Sequence, residues 1–260
     1  IMIFRGVWNF DSLLLRRLSY YPYVQLAVIL LFACLAIFTL LTLKRAEQNR
    51  VWVGLSKETA HQLGTPISSL MAWMEIMKEN YPDDMLLPEM DNDVKRLQLI
   101  ADRFSKIGSQ PAPEQADLLA VLRRVAAYMD RRTSKNIVIS VHAPKIVVAL
   151  NVSLFEWVIE NLCKNAADAM ENATGRIDIR VEPKGKTIVI NVSDTGKGIQ
   201  QKDIKNVFRP GFTTKQRGWG LGLSLAKRIV EDYHHGKIFV KHSEVGRGTT
   251  FSIVIPRQSQ

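Results

Sequence analysis

Cysteine is almost absent: Cys34 and Cys163 are the only two in 260 residues, far apart and without a neighbouring set of ligand residues. That argues against a disulfide framework or a cysteine-based zinc site and fits a reducing compartment. Acidic residues are also in deficit, 25 against 35 Lys and Arg, for a net charge of +10. The basic excess is scattered. Arg16/Arg17, Lys44/Arg45, Arg123/Arg124 and Arg131/Arg132 lie in separate segments without interleaved aromatics, so nucleic acid is not expected as a partner. The first two pairs suit anionic lipid headgroups instead. Charge is missing altogether from Tyr23 to Leu43, a run of 21 residues, YVQLAVILLFACLAIFTLLTL. What is plentiful is apolar surface, 47% of residues, which excludes a disordered chain. The length accommodates one large or two ordinary domains.

The uncharged run matches the roughly 20 residues a helix needs to cross a hydrocarbon core. A buried core helix rarely runs so long without a polar break, and a signal peptide would be followed by a small-residue cleavage site that is lacking here. Residues 23–43 are therefore expected to form a transmembrane helix, with Trp8, Tyr20 and Tyr21 at the membrane interface. Residues 1–22 read as an extracytoplasmic or juxtamembrane remnant. Methionine stands second, after an isoleucine, and the expectation is that a longer protein with further sensing segments precedes it. Basic residues flank the run on both sides, so the charge bias alone does not orient it.

After Lys44 the pattern is that of a long helix to about Asn80. Leu55, Leu63, Ile67, Leu70, Met74 and Met77 recur at the spacings of one buried seam. His61 lies off the seam and is expected to face outward, with Thr65 on roughly the same face. Pro66 removes a backbone donor and is expected to bend the helix beyond the histidine. A neutral imidazole is a usable nucleophile near pH 7. Tyr81-Pro82-Asp-Asp and Pro88 interrupt the helix, and a second one carries Met90, Val94, Leu97, Ile100, Phe104 and Ile107. An antiparallel hairpin cannot cover its own seam; two copies forming a four-helix bundle would, so a homodimer is expected.

Gly108–Pro113 reads as a linker. Beyond it helices and β-branched runs alternate: helices over 117–131, 153–171 and 221–233, and strands over 137–141, 146–150, 176–181, 187–192, 237–241 and 249–255. Strands at hairpin spacing between such helices imply an antiparallel or mixed sheet with helices on one face.

Three polar constellations fall in this second part. In Asn161-Leu-Cys-Lys164-Asn165-Ala-Ala-Asp168, Asn161, Asn165 and Asp168 make a polar stripe on a helix. Such oxygens suit a partly hydrated Mg²⁺, although a solvated helix face would look the same. Asp194-Thr-Gly196-Lys-Gly198-Ile199 follows a strand; the carboxylate can accept from an amino group and the glycines allow close backbone approach. Phe208-Arg-Pro-Gly-Phe212-Thr213-Thr214-Lys215-Gln-Arg-Gly218-Trp-Gly220-Leu221-Gly222-Leu223 joins a glycine-rich loop to a helix N-terminus, a seat for phosphate. It lacks P-loop spacing, and no strand immediately precedes it as in a dinucleotide fold.

Taken in order and spacing, the three stretches resemble the bacterial sensor histidine kinases of two-component systems. Asn161–Asp168 is similar to their N box, Asp194–Ile199 to the G1 box, Phe208–Lys215 to the F box and Gly218–Leu223 to the G2 box. Gly248-Thr249-Thr-Phe resembles the closing strand whose threonine lies beside adenine, and Glu58–Pro66 the H box. The resemblance runs from about Lys44 to the end. It implies a transmembrane helix, a dimeric antiparallel helical hairpin at 44–110 (a four-helix bundle in the dimer), and an α/β two-layer sandwich at 111–260 of the GHKL ATPase type. It further implies that ATP and Mg²⁺ are cofactors and that His61 is phosphorylated. The phosphoryl group then passes to an aspartate on the receiver domain of a cognate response regulator. Asn165 matches the Mg²⁺ ligand, Asp194 the adenine-binding carboxylate, and Gly196, Gly198, Gly218, Gly220 and Gly222 the residues around the nucleotide and its lid. Lys164, Ile199, Phe208, Phe212, Thr213, Thr214, Lys215, Leu221, Leu223 and Thr249 complete the expected ATP site with Asn161 and Asp168. Thr65 matches a position that helps orient water when related kinases dephosphorylate their regulators. Because ATP is cytoplasmic, the chain after Lys44 is placed inside the bacterial cytoplasmic membrane, its helix carrying a signal to His61.

Two residues depart from the pattern. Gln62 stands where the family has an acid beside the histidine, and a carboxamide is no base at neutral pH, so slower autophosphorylation is expected. Gly64 replaces a commonly basic residue. Two alternatives follow: a nucleotide-binding membrane scaffold or phosphatase-biased sensor with weak kinase activity, and another ATPase of the gyrase, chaperone or mismatch-repair type. The latter use a glutamate four residues before the metal-binding asparagine; here that position is Asn161, with Glu160 beside it.

Overall fold

The computed structural model describes residues 2–109, 112–171, 174–215 and 220–257. It divides into two compact units, residues 1–56 and 57–260. Helix α1 (Met2–Asn80) supplies the first unit. Its segment Tyr20–Leu43, 24 residues, is long and apolar enough to cross a membrane and is wholly exposed. Thr39 and Thr42 return their hydroxyls to backbone carbonyls one turn back, which hides the polar atoms of an otherwise apolar surface.

In the second unit, α1 continues through Pro66 to Asn80, where a turn leads into α2 (Leu87–Ser109). Ile67 and Met74 are the buried members of the α1 seam, with Leu70 and Met77 packed partly beside them. On α2, Leu87, Val94 and Ala101 turn inward at heptad spacing, whereas Met90 and Leu97 are exposed. Trp73 and Ile76 on α1 are exposed as well. Lys78 bridges the two helices through Asp91, which also pairs with Lys95.

Ile107, at the end of α2, is fully buried in the core of an α/β sandwich. Gly108 and Ser109, expected in a linker, belong to α2. The sandwich begins with β1 (Glu114–Asp117), a short polar strand without any sequence signal, which pairs antiparallel with β3 (Val147–Leu150). Asp117 then caps α3 (Leu118–Asp130) by accepting from the Leu119 amide. The main sheet has the order β2-β4-β5-β7-β6, with strands Ile137–His142, Gly175–Lys184, Thr187–Asp194, Gly248–Pro256 and Lys237–Glu244. Only β2 and β4 run parallel, so the sheet is mixed.

Its apolar residues, among them Ile177, Ile179, Ile188, Ile190 and Ile253, are fully buried together with Leu154, Phe155, Val158 and Ile159 of α4 (Val152–Ala169). Alternation along the strands and a 3.6-residue period on the helix thus meet in one core. Asn151 caps α4 at the Leu154 amide. A short helix α5 (Gln201–Ile204), absent from the sequence expectation, follows the Asp194 loop. The expected helix over 221–233 is α6 (Gly222–Arg228) prolonged by one π turn, Ile229–Tyr233.

Candidate nucleotide site

Asp194 ends β5 beside the core, and its Oδ1 accepts from the amides of Gly196 (2.8 Å) and Thr249 (3.2 Å). Burial raises its pKa from the ordinary aspartate value, and the two amide bonds oppose that rise. With Oδ1 so engaged, Oδ2 remains to accept from a ligand N–H.

The loop around Asp194 is held closely. Ser243 on β6 accepts from the Ile199 amide at 2.8 Å and lies 2.9 Å from the Thr249 hydroxyl. Thr249 is buried, so it reaches Asp194 through its amide and spends its side chain on Ser243. Ser243 carried no motif and was not expected; its place in the register opposite Thr249 is what gives it the role. Gly198 has φ +72°, and a Cβ there would lie 2.2 Å from the Glu244 carbonyl. Gly248, at φ +110°, would place a Cβ 1.9 Å from the Asp194 carbonyl. Gly248→Ala must therefore push Asp194 away; nucleotide affinity is expected to fall about tenfold or more, read with a fluorescent ATP analogue. Unchanged affinity would mean that Asp194 is not held where the site needs it.

Helix α4 supplies the opposite wall. Lys215 Nζ donates to Asn165 Oδ1 (2.9 Å) and to Asp168 Oδ2 (2.6 Å), which ties the loop to the expected polar stripe. Two oxygens thus converge on one cation, a donor set that suits Mg²⁺, which takes few protein oxygens and keeps its waters. Asn161 Nδ2 is buried without a partner among the described residues, and its Oδ1 lies 3.2 Å from where a Cβ on Gly222 would stand. Thr213 Oγ1 accepts from the Lys215 amide. Thr214 is exposed, while Phe212 and Leu221 are half-buried. Gly220 (φ +65°) accepts from the Gly211 amide at the base of the loop. Gly218 lies outside the described residues.

Phe208 and Leu223, both expected in the site, pack against the core. Phe208 packs edge-on against Phe251, with ring centroids 6.1 Å apart, and Lys227 sits 5.9 Å over its ring. Leu223 likewise packs on the core. Both anchor the ends of the loop. Lys164 lines a separate cavity of about 500 Å³ between α2, α3 and α4, which Asn161 and Asp168 also border.

Away from this cradle, His61, Gln62 and Thr65 are exposed on α1. The Gln62 amide donates to Glu58 Oε1 at 2.6 Å. Ser68 and Ser69 bond back to the Gly64 and Thr65 carbonyls around Pro66.

Residues 151–259 match the family model described as histidine kinase-, DNA gyrase B-, and HSP90-like ATPase. Among curated proteins, sporulation kinase C of Bacillus subtilis (strain 168) is 28% identical over 83% of this chain and 51% of its own length. This chain therefore spans about half the length of that relative. Among solved structures, the nucleotide-free catalytic domain of the histidine kinase ThkA is 31% identical, with a TM-score of 0.51, over 56% of this chain and 95% of that domain. ThkA in complex with the response regulator TrrA is 24% identical, with a TM-score of 0.54, over 83% of this chain and 64% of that one, a likeness of fold.

Proposed function

This chain belongs to the histidine kinases, and from that premise we propose that it uses ATP to phosphorylate its own His61 and passes the phosphoryl group to an aspartate of a response regulator. The observation that carries this reading is an exposed imidazole on a helical hairpin in the same chain as the Asp194–Asn165 cradle. In this reading, Asp194 Oδ2 takes the adenine amino group, with Gly196, Gly198, Ile199 and Thr249 shaping the base pocket. Asn161, Asn165, Asp168, Thr213, Thr214 and Lys215 face the phosphates, and the loop with Gly218, Gly220, Leu221 and Gly222 closes over them. Asn165 and Asp168 would hold Mg²⁺, which neutralises phosphate charge when bound. On ATP binding Lys215 leaves these two oxygens and its ammonium follows the terminal phosphate. Transfer of this kind depends on positioning and charge neutralisation, which these residues supply.

Hydrolysis as the main output is disfavoured. Glu160, beside the position of the hydrolytic base in related ATPases, gives both carboxylate oxygens to Arg103, at 2.6 and 2.8 Å. Gln62 favours the second reading, a phosphatase-biased sensor in which Thr65 orients water.

The apolar segment Tyr20–Leu43 supports a membrane-spanning role in the bacterial cytoplasmic membrane, with the later chain in the cytoplasm. Exposed Trp73, Ile76, Met90 and Leu97 support a homodimer whose hairpins (44–110) form a four-helix bundle ahead of the catalytic domain (111–260). The reading is tested by incubating the chain in detergent micelles with γ-labelled ATP and Mg²⁺. Acid-labile, alkali-stable label is expected; ATP binding without label would favour the phosphatase-biased reading.

A pH dependence follows from Asp194. Its raised pKa means that it takes up a proton at a higher pH than an ordinary aspartate, and the protonated group is a poorer acceptor for an amino N–H. ATP affinity is expected to be full above that pKa and to fall as pH drops through it. Asp194→Asn should cost most of the affinity and flatten this dependence. A wild-type affinity that falls with pH no earlier than that of Asp194→Asn would contradict the role.

A further inference from the structure

The cavity between α2, α3 and α4 lies beside the nucleotide cradle, and its walls suit an anion with an apolar body. We infer that it binds a small phosphate monoester carried on a planar ring, while ATP occupies the cradle.

On α2 the residues that line the cavity, Arg96, Leu99, Ile100 and Arg103, lie roughly opposite Leu87 and Val94 on the helix. Helix α2 thus packs on Met74 of α1 with one face and spans a gap with the other. About 500 Å³ of space remains there. That is the size of a small-molecule pocket and far more than the roughly 30 Å³ one water occupies in the liquid. The lining is divided. Leu99, Ile100, Tyr128, Met129, Ile137 and Trp157 supply the apolar part, and Arg96, Arg132 and Lys164 the charged part.

The charges do not cancel. Glu160 is taken by Arg103 and Asp168 by Lys215. Arg96, Arg132 and Lys164 have no carboxylate partner among the described residues. Three cations around one recess focus a positive potential on it, which suits the two negative charges of a phosphate monoester. Arg132 is already held, its guanidinium 4.6 Å over the Tyr128 ring, and Arg103 lies 5.6 Å from the centroid of Trp157. A guanidinium held in this way loses less freedom when its fork takes phosphate oxygens. A planar ring has aromatic and guanidinium faces to lie against. Exposed cations alone would be no more than a solvated rim. Here Arg103 Nε and Asn161 Nδ2, on two of the lining residues, are also buried without partners among the described residues, a rare condition that a bound oxygen relieves. The cradle keeps its own face of α4. Asn165 lies about 100° round the helix from Lys164, and cradle and cavity share only the Asn161 and Asp168 border between them.

The test uses the full chain in detergent micelles, with the cradle filled by a non-hydrolysable ATP analogue and Mg²⁺. Phenyl phosphate, titrated calorimetrically, is expected to bind once per chain and about tenfold or more tighter than inorganic phosphate. Arg96→Gln and Arg132→Gln should each weaken it about tenfold, while the affinity for the analogue stays within about twofold. A second arm needs no variant. In wild type, phenyl phosphate at about four times its dissociation constant should slow phenylglyoxal modification of Arg96 and Arg132 about fivefold, read by mass spectrometry. Arg176 on β4 should stay unprotected. No binding with the cradle filled overturns the inference. So does binding that survives both substitutions, or that leaves both arginines unprotected. Inorganic phosphate bound as tightly as phenyl phosphate overturns it too, since the apolar lining would then meet no ligand. If the analogue itself fails to bind, the cradle reading fails instead, and the protection of Arg96 and Arg132 still decides whether the cavity is a site.

Discussion

A chain carrying His61→Ala takes up no acid-labile label from γ-labelled ATP, yet binds ATP within about twofold of wild type. Without an acceptor nitrogen there is no Nε2–P bond to form, so the loss is complete rather than partial. Binding survives because the cradle is built from Asp194, Ser243, Thr249, Asn165 and Lys215, none of which bonds to α1 at His61. The other four histidines do not offer substitutes. His234 is buried, with Nδ1 donating to the Ile229 carbonyl at 2.9 Å and Nε2 accepting from the Asn151 amide at 3.1 Å. Burial also depresses its pKa, consistent with a neutral ring committed on both nitrogens. His142 lies in β2 with Nε2 3.4 Å from Asp178, His242 lies in β6, and His235 sits in a turn at φ +50°. Asn165→Ala provides the complementary result: label is lost along with Mg²⁺-dependent nucleotide binding, while His61 stays intact. Persisting label in His61→Ala would move the acceptor elsewhere and end the proposed mechanism.

How much of this was legible beforehand follows from where one periodicity sufficed. The sheet strands and α4 carry a single buried face, and their expected and observed ranges agree to within a few residues. Helix α2 serves two partners, and one periodicity does not separate them. Leu87 and Val94 pack with Met74 of α1, Ile107 enters the sandwich core, and Met90 and Leu97 are left exposed, although all of these α2 positions are apolar. Strand β1, Glu-Gln-Ala-Asp, has no alternation to detect; β3 induces it. In the candidate site, the residues proposed to meet ATP through side-chain chemistry, such as Asp194, Asn165 and Lys215, fall within motifs. Ser243 does not, because its role comes from register alone. Phe208 sits within a motif yet contributes packing, a distinction that only tertiary contacts reveal.

The second large effect is on stability, and it lies where α2 meets α4. Arg103→Ala is expected to cost about 3–5 kcal/mol, measured by urea denaturation of the chain in micelles. Arg103 is only 8% exposed, and its two terminal nitrogens donate to both oxygens of Glu160 at 2.8 and 2.6 Å. Its guanidinium also lies 5.6 Å from the centroid of Trp157, whose ring meets Phe104 edge-on at 5.8 Å. One turn further, Tyr233 donates to the Ile107 carbonyl and Lys106 to the Ser153 hydroxyl at 2.9 Å. Removing the arginine leaves the Glu160 carboxylate largely buried without its counter-charge, and that desolvation supplies most of the cost. Arg103→Lys should recover only part of it, because an ammonium lacks the planar fork that matches a carboxylate. Arg103→Met with Glu160→Leu should recover most, since an apolar pair of similar volume has no charge to desolvate. If the double variant is as unstable as Arg103→Ala, then packing on Trp157 rather than the uncompensated charge sets the cost. If Arg103→Ala is as stable as wild type, the α2–α4 contact contributes nothing to the folded state.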